Sequence, residues 1–235
     1  NANLEKLHAQ RVEAIIQMGC STDDLTSDPD YAARVNRISR TIPFITTGNL
    51  DGTDCYCLNI NENEGMRLVF DHLIEFGHRE IALIGGEKWD RTTHKRWEQY
   101  VYLLGVKQLP YREEYVKECG FTEAGGYAGF LRLLQGGRLP TAIITRNDYC
   151  AVGALRAAHE HGLSVPSDLS IISFDNTFLA EIVNPRLTSM DYNYEKFGDS
   201  LVELAINAAT NPDAPKLSLI TPQLILRDSC AHLLS

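Results

Sequence analysis

The 235-residue chain has no long hydrophobic run, and none approaches the ~20 apolar residues that span a bilayer. Its first residues, NANLEKLH, lack the basic cluster and apolar segment of a secretory signal, so a cytoplasmic protein with no membrane partner is expected. Positive charge is scarce: 22 Lys and Arg face 31 Asp and Glu, a formal charge of −9. Phosphate contacts require a basic face, so these residues are not expected to be the part of a protein that holds nucleic acid. The phosphate-cradling patterns G-x-x-x-x-G-K-[ST] and G-x-G-x-x-G are missing, as are the G-x-S-x-G elbow and H-E-x-x-H. Scattered carboxylates can form a glycosidase pair, but nothing in the sequence selects one. Without an activated nucleophile, metal set or phosphate loop, the chain is expected to be no enzyme and to need no cofactor.

Cysteine is sparse: Cys20, Cys55, Cys57, Cys119, Cys150 and Cys230. Disulfide frameworks suit small secreted domains, whereas 44% hydrophobic residues suffice for a core, so reduced thiols are expected. Cys55-x-Cys57 lacks two further ligands at zinc spacing, and no metal is expected. His159 and His161 lie two apart and diverge on a helix. The acidic residues Asp23, Asp24, Asp28 and Asp30 lack the glycine and glutamate of a calcium loop and read as solvated loop and helix caps.

Short β-rich runs alternate with helical patterns. A helix over residues 4–10 leads into a buried strand over 12–18, and another strand covers 42–46. Met66, Val69, Phe70, Leu73 and Ile74 recur at helical spacing over 64–76, and Gly77 ends that helix. Further strands are predicted over 81–84, 116–119, 141–145, 169–174 and 187–190, with extended pieces over 217–227. Helices are predicted over 97–104, 123–134, 151–161 and 194–209. This alternation implies an α/β fold of parallel sheets covered by helices, with ligands beyond the carboxyl ends of the strands.

Polar residues stand at three strand ends: TAIITRND over 141–148, LSIISFD over 169–175, and the loop after Gly85-Gly86 that leads to Arg96. Asn147 offers a donor and an acceptor, Asp175 accepts hydroxyls, and Arg96 donates a planar fork, a set suited to a neutral polyhydroxylated ligand. Each has a plainer alternative. Asp148 is a good helix N-cap, Asp175 can cap a helix over 178–182, and Arg96 can be an exposed helix residue.

The ordered set HLIEFGHREIALIG over 72–85, Asn147-Asp148 with Ala151 and Gly153, GLSVP over 162–166 with DLSII, Phe174-Asp175, PRLT over 185–188 and LRDS over 226–229 resembles the LacI/GalR family of transcription regulators from about Leu4 to Ser229. The resemblance implies a type I periplasmic-binding-protein fold: two doubly wound parallel-sheet lobes, joined by crossings near residues 59–61, 191–192 and 219–221. The lobes would be residues 1–60 with 191–218 and residues 61–190 with 219–235, closing around a small effector. The family's first β-α-β unit, its helix-turn-helix domain and its hinge helix would precede this chain. It further implies a ligand set of Arg96, Phe121 stacking on a sugar face, Asn147, Asp175 and Tyr192; Tyr192 and Tyr194 can equally be packing residues. The function implied is a repressor's effector-binding domain. It would form a homodimer and reach operator DNA through the preceding domain. The expected effector is a neutral sugar of galactoside type, with corepressor purines the open alternative. A periplasmic sugar-binding protein of an ABC transporter shares the fold and is the alternative function.

Overall fold

The computed structural model describes residues 2–10, 12–19, 22–211 and 213–233. Two compact units divide the chain: Asn1–Asn61 with Asn193–Thr221, and Glu62–Tyr192 with Pro222–Ser235. The first carries a parallel sheet in the order β1 (Ile15–Met18), β2 (Phe44–Thr47), β3 (Tyr56–Ile60), β9 (Leu217–Ile220), with helices α1 (Ala2–Ala9), α2 (Pro29–Ser39) and α8 (Tyr194–Thr210). The strand expected over 12–18 is confined to its second half. As the sheet edge it buries only Ile15 and leaves Ile16 and Met18 exposed.

Helix α2 follows the acidic stretch that reads as loop. Asp28 accepts a hydrogen bond from the Asp30 amide, and Pro29 fills a first-turn position whose N–H would have no helical partner. Ala32, Val35 and Ile38 are the buried residues of its inner face, and Val35 and Ile38 pack with Ile15, Ile42, Phe44 and Leu50. Strand β3 is also new. Its Asn59 side chain accepts from the Gly48 amide at 2.8 Å and donates to Asn49 Oδ1 at 2.8 Å, so a polar residue serves a neighbouring loop.

The second unit is a six-stranded sheet in the order β10 (Gln223–Ile225), β8 (Thr188–Asp191), β7 (Ser170–Phe174), β6 (Ala142–Thr145), β4 (Ile81–Ile84), β5 (Val116–Lys117). All pairings are parallel except that of β10 with β8. β4, β6 and β7 are buried along their whole length, as mostly apolar strands covered on both faces must be, and the hydroxyls of Thr145, Ser170 and Ser173 are buried with them. The helices are α3 (Glu62–Glu75), α4 (Arg91–Val106), α5 (Glu123–Leu134), α6 (Asp148–Glu160) and α7 (Phe178–Ile182). α4 begins six residues before the predicted 97–104, because Asp90 caps it through the Thr93 amide and its first turns are polar.

α5 and α6 touch backbone to backbone. A Cβ on Gly126 would lie 2.1 Å from the Cys150 carbonyl oxygen, and one on Gly153 would lie 1.9 Å from that of Glu123. At the opposite end of the sheet His78 is buried. Its Nδ1 lies 3.1 Å from Thr141 Oγ1 and its Nε2 3.0 Å from the Ala231 carbonyl, so it ties the C-terminal segment to the sheet. Cys55, Cys57, Cys119, Cys150 and Cys230 are free thiols; Cys20 lies outside the described residues. Among the described residues no helix is long and apolar enough to cross a membrane, and no cluster suited to a metal is found.

Candidate ligand-binding site

Parallel strands of the second unit end on one edge, and the loops after three of them deliver polar residues there: Arg146-Asn147 after β6, Asp175 after β7 and Tyr192 after β8, while Gly85-Gly86 follows β4. Arg96, on α4, is the hub. It is only 2% exposed, and it makes four hydrogen bonds. Nε donates to Glu62 Oε2 at 2.7 Å and Nη2 to Glu62 Oε1 at 3.2 Å. Nη1 donates to the Arg146 carbonyl at 2.7 Å, and Nη2 also donates to the Tyr192 hydroxyl. Its guanidinium carbon sits 3.9 Å from the Phe174 ring centroid. A buried guanidinium needs its charge matched and its donors filled; Glu62 matches the charge and accepts two bonds, and the Arg146 carbonyl and Tyr192 hydroxyl accept the others. Burial still lowers the Arg96 pKa. Arg96 is therefore neither the exposed helix residue of the plainer reading nor a free fork; its four bonds occupy four of its five N–H donors.

Asn147 caps α6. Its Oδ1 accepts from the Cys150 amide at 2.9 Å and its Nδ2 donates to the Phe121 carbonyl at 3.0 Å. The cap is thus Asn147, and Asp148, the favoured cap from sequence, stands one residue inside the helix. Fully buried, Asp148 accepts from Thr177 N at 2.6 Å, Thr177 Oγ1 at 2.8 Å, Ser189 Oγ at 2.8 Å and Ser173 Oγ. It fixes the loop that carries Asp175.

Asp175 does not cap α7. Thr177 occupies that position, without a side-chain bond. Asp175 instead holds a φ of 98°, rare for a residue with a side chain and concentrated at functional sites. Its amide donates to the Met190 carbonyl at 2.9 Å. Among the described residues no donor is found on its carboxylate. Burial pushes its pKa up, Arg96 and Arg146 pull it down, and Asp148 and Glu62 push it up again. Phe121 is half-buried, edge-on to exposed Trp89 at 6.4 Å between centroids, with the Arg146 guanidinium 5.3 Å from its ring. Tyr192 is 3% exposed and packs against Phe174. Tyr194 belongs to the other unit, at the start of α8.

A family model of the periplasmic binding protein-like domain matches residues 70–230. The PurR transcriptional repressor of Haemophilus influenzae is 30% identical over 237 residues, 99% of this chain and 68% of the relative. The chain belongs to the LacI/GalR family. The PurR repressor of Glaesserella parasuis is 32% identical over 177 residues, 72% of this chain. The chain spans about half, 52%, of that relative's length. A LacI-family regulator from Enterococcus faecium, solved with bound ribose, superposes with a TM-score of 0.80 at 25% identity, covering 99% of this chain and 85% of that one. The relatives named are transcriptional repressors, not enzymes.

Within this LacI/GalR domain Arg96, Asn147, Asp175 and Tyr192 lie on one edge of one sheet, and Phe121 joins them through Asn147 and Arg146. Sequence reasoning passed over Glu62, Asp90, Trp89 and Arg146. Arg146 had a readable signal, a charged residue between a buried strand and a cap. Glu62 had none, since its partner is 34 residues away.

Proposed function

We propose that this chain is the ligand-sensing domain of a cytoplasmic transcriptional repressor. It binds a small neutral sugar at the carboxyl edge of the six-stranded sheet and so controls operator binding by a helix-turn-helix part of the whole protein. The whole protein acts as a homodimer, which matches two DNA-binding domains to a two-fold operator. The observation that carries the reading is Asp175: a partly buried carboxylate at a positive φ, with no donor on it among the described residues. Sugar hydroxyls supply such donors. The charges agree: Arg96 and Arg146 are set against Glu62, Asp90, Asp148 and Asp175, a surplus of carboxylates that disfavours sugar phosphates. Phe121 and Trp89 offer rings for an apolar sugar face. Repressor relatives favour this over the transport reading.

A second ligand class is a purine base, whose flat ring would also suit Phe121. Calorimetry of the full-length protein against pentoses, hexoses, disaccharides and purine bases separates the two. Sugar binding is expected to weaken about tenfold or more in Asp175→Ala, about 1–3 kcal/mol, with the ligand-free melting point retained. Binding of purines alone would replace the sugar reading, and an Asp175→Ala variant with full sugar affinity would remove Asp175 from the site.

A further inference from the structure

Arg146 has a pinned backbone and an uncommitted tip. Its amide donates to the Ile84 carbonyl at 2.8 Å, and its carbonyl accepts from Arg96 at 2.7 Å. A Cβ on Gly85 would lie 2.6 Å from Arg146 Cβ, and Gly85 has a φ of 111°, so glycine there makes room for the arginine stem. The guanidinium is held loosely. Its nearest carboxylate oxygen, Asp90 Oδ1, is 3.7 Å away and already accepts two bonds from Thr93. Its Nε is buried and has no acceptor among the described residues. A buried donor left unfilled is destabilising, and neither the Asp90 pairing nor the Phe121 ring 5.3 Å away fills Nε.

Building on the sugar-sensing reading, we propose that Arg146 is a specificity-determining residue that donates to an ether oxygen of a cyclic sugar whose hydroxyls bond to Asp175. The two side chains read opposite characters. A guanidinium donates and never accepts, and an ionised carboxylate accepts and never donates. A ring or glycosidic oxygen has no proton to give and therefore fits Arg146, while hydroxyls fit Asp175. The class selected is a closed-ring neutral sugar, discriminated from its open-chain alditol.

The test is calorimetry on the full-length protein with D-ribose, D-galactose and D-glucose, each beside its open-chain alditol. The intact protein is expected to prefer the ring form at least tenfold. Arg146→Met keeps the stem and removes every donor; it should narrow that ratio below threefold, with Arg146→Lys intermediate and both melting like the parent without ligand. A structural arginine would instead lower the melting point and leave the ratio alone, which overturns the proposal. So does a parent protein that binds sugars without ring preference, or an Arg146→Met variant that keeps it. If no sugar or alditol binds the parent, the sugar reading itself falls and takes this inference with it; sugar binding with an unaltered ratio sinks the inference alone.

Discussion

Asp148 carries four hydrogen bonds from Thr177 N, Thr177 Oγ1, Ser173 Oγ and Ser189 Oγ at zero exposure, and its replacement sorts those donors by what each can do afterwards. Bonds to a charged acceptor contribute about 1.5–3 kcal/mol each when lost singly. The hydroxyls can turn to other partners; the Thr177 amide cannot. Asp148→Ala therefore strands one obligatory donor at full cost and three hydroxyls at partial cost, about 3–5 kcal/mol in all. At about 2–4 °C per kcal/mol for a protein of this size, the melting point should fall by about 6–20 °C. Asp148→Asn is the sharper perturbation. Its remaining oxygen can face Thr177 and its NH2 the two serine hydroxyls, which can turn to accept, so the loss should be about 1–2 kcal/mol. Calorimetric melts of the parent and both variants make the comparison. An alanine variant melting within 2 °C of the parent, or an asparagine variant as damaged as the alanine, would refute the assignment of donors.

Gly153→Ala should destabilise by about 1–3 kcal/mol in urea unfolding although alanine is the better helix former, because the new methyl meets the Glu123 carbonyl at 1.9 Å; a neutral or stabilising result would show that α5 and α6 are not in backbone contact. Burial lowers the pKa of His78 and of His72 below the usual imidazole value. Unfolded imidazoles take up protons below about pH 6.5 that the native ones refuse, so stability should be full above that pH and fall beneath it. Urea midpoints at pH 7.5 and 5.5 measure the loss, and His78→Gln should flatten it; equal midpoints in the parent would contradict the buried, neutral His78.

Much of the fold was legible where one interaction dominates locally. β4, β6 and β7 are short, mostly apolar runs ended by glycine or polar residues, too short for a helix and flanked by turn residues. Helix α2 was missed although its Asp28-Pro29 start and its spacing of Ala32, Val35 and Ile38 were present, because the acidic and polar stretch STDDLTSD ahead of it looked like solvent-facing loop. The start of α4 was hidden by a polar first turn, Arg91 to His94, none of which is buried. At the site, residue types were readable and their commitments were not. Whether Arg96 is free depends on Glu62 and Tyr192, 34 and 96 residues away. Whether Asp175 caps a helix depends on Asp148 already holding Thr177. Such pairings exist only once the sheet has assembled.

The glycine contact between α5 and α6 has a consequence for how this domain changes its ligand over generations. Each helix begins at the site, α5 behind Phe121 and α6 behind Asn147, and the Asn147 amide clasps the Phe121 carbonyl across the gap. With the two main chains in contact at Gly126 and Gly153, neither loop can back away without dragging the other. The mouth therefore has a fixed gauge. A descendant that recognises a different molecule must arrive there by exchanging side chains at the rim, at Trp89, Phe121 or Arg146, over a scaffold that keeps its shape; new preferences are expected to come as point replacements, seldom as loop insertions.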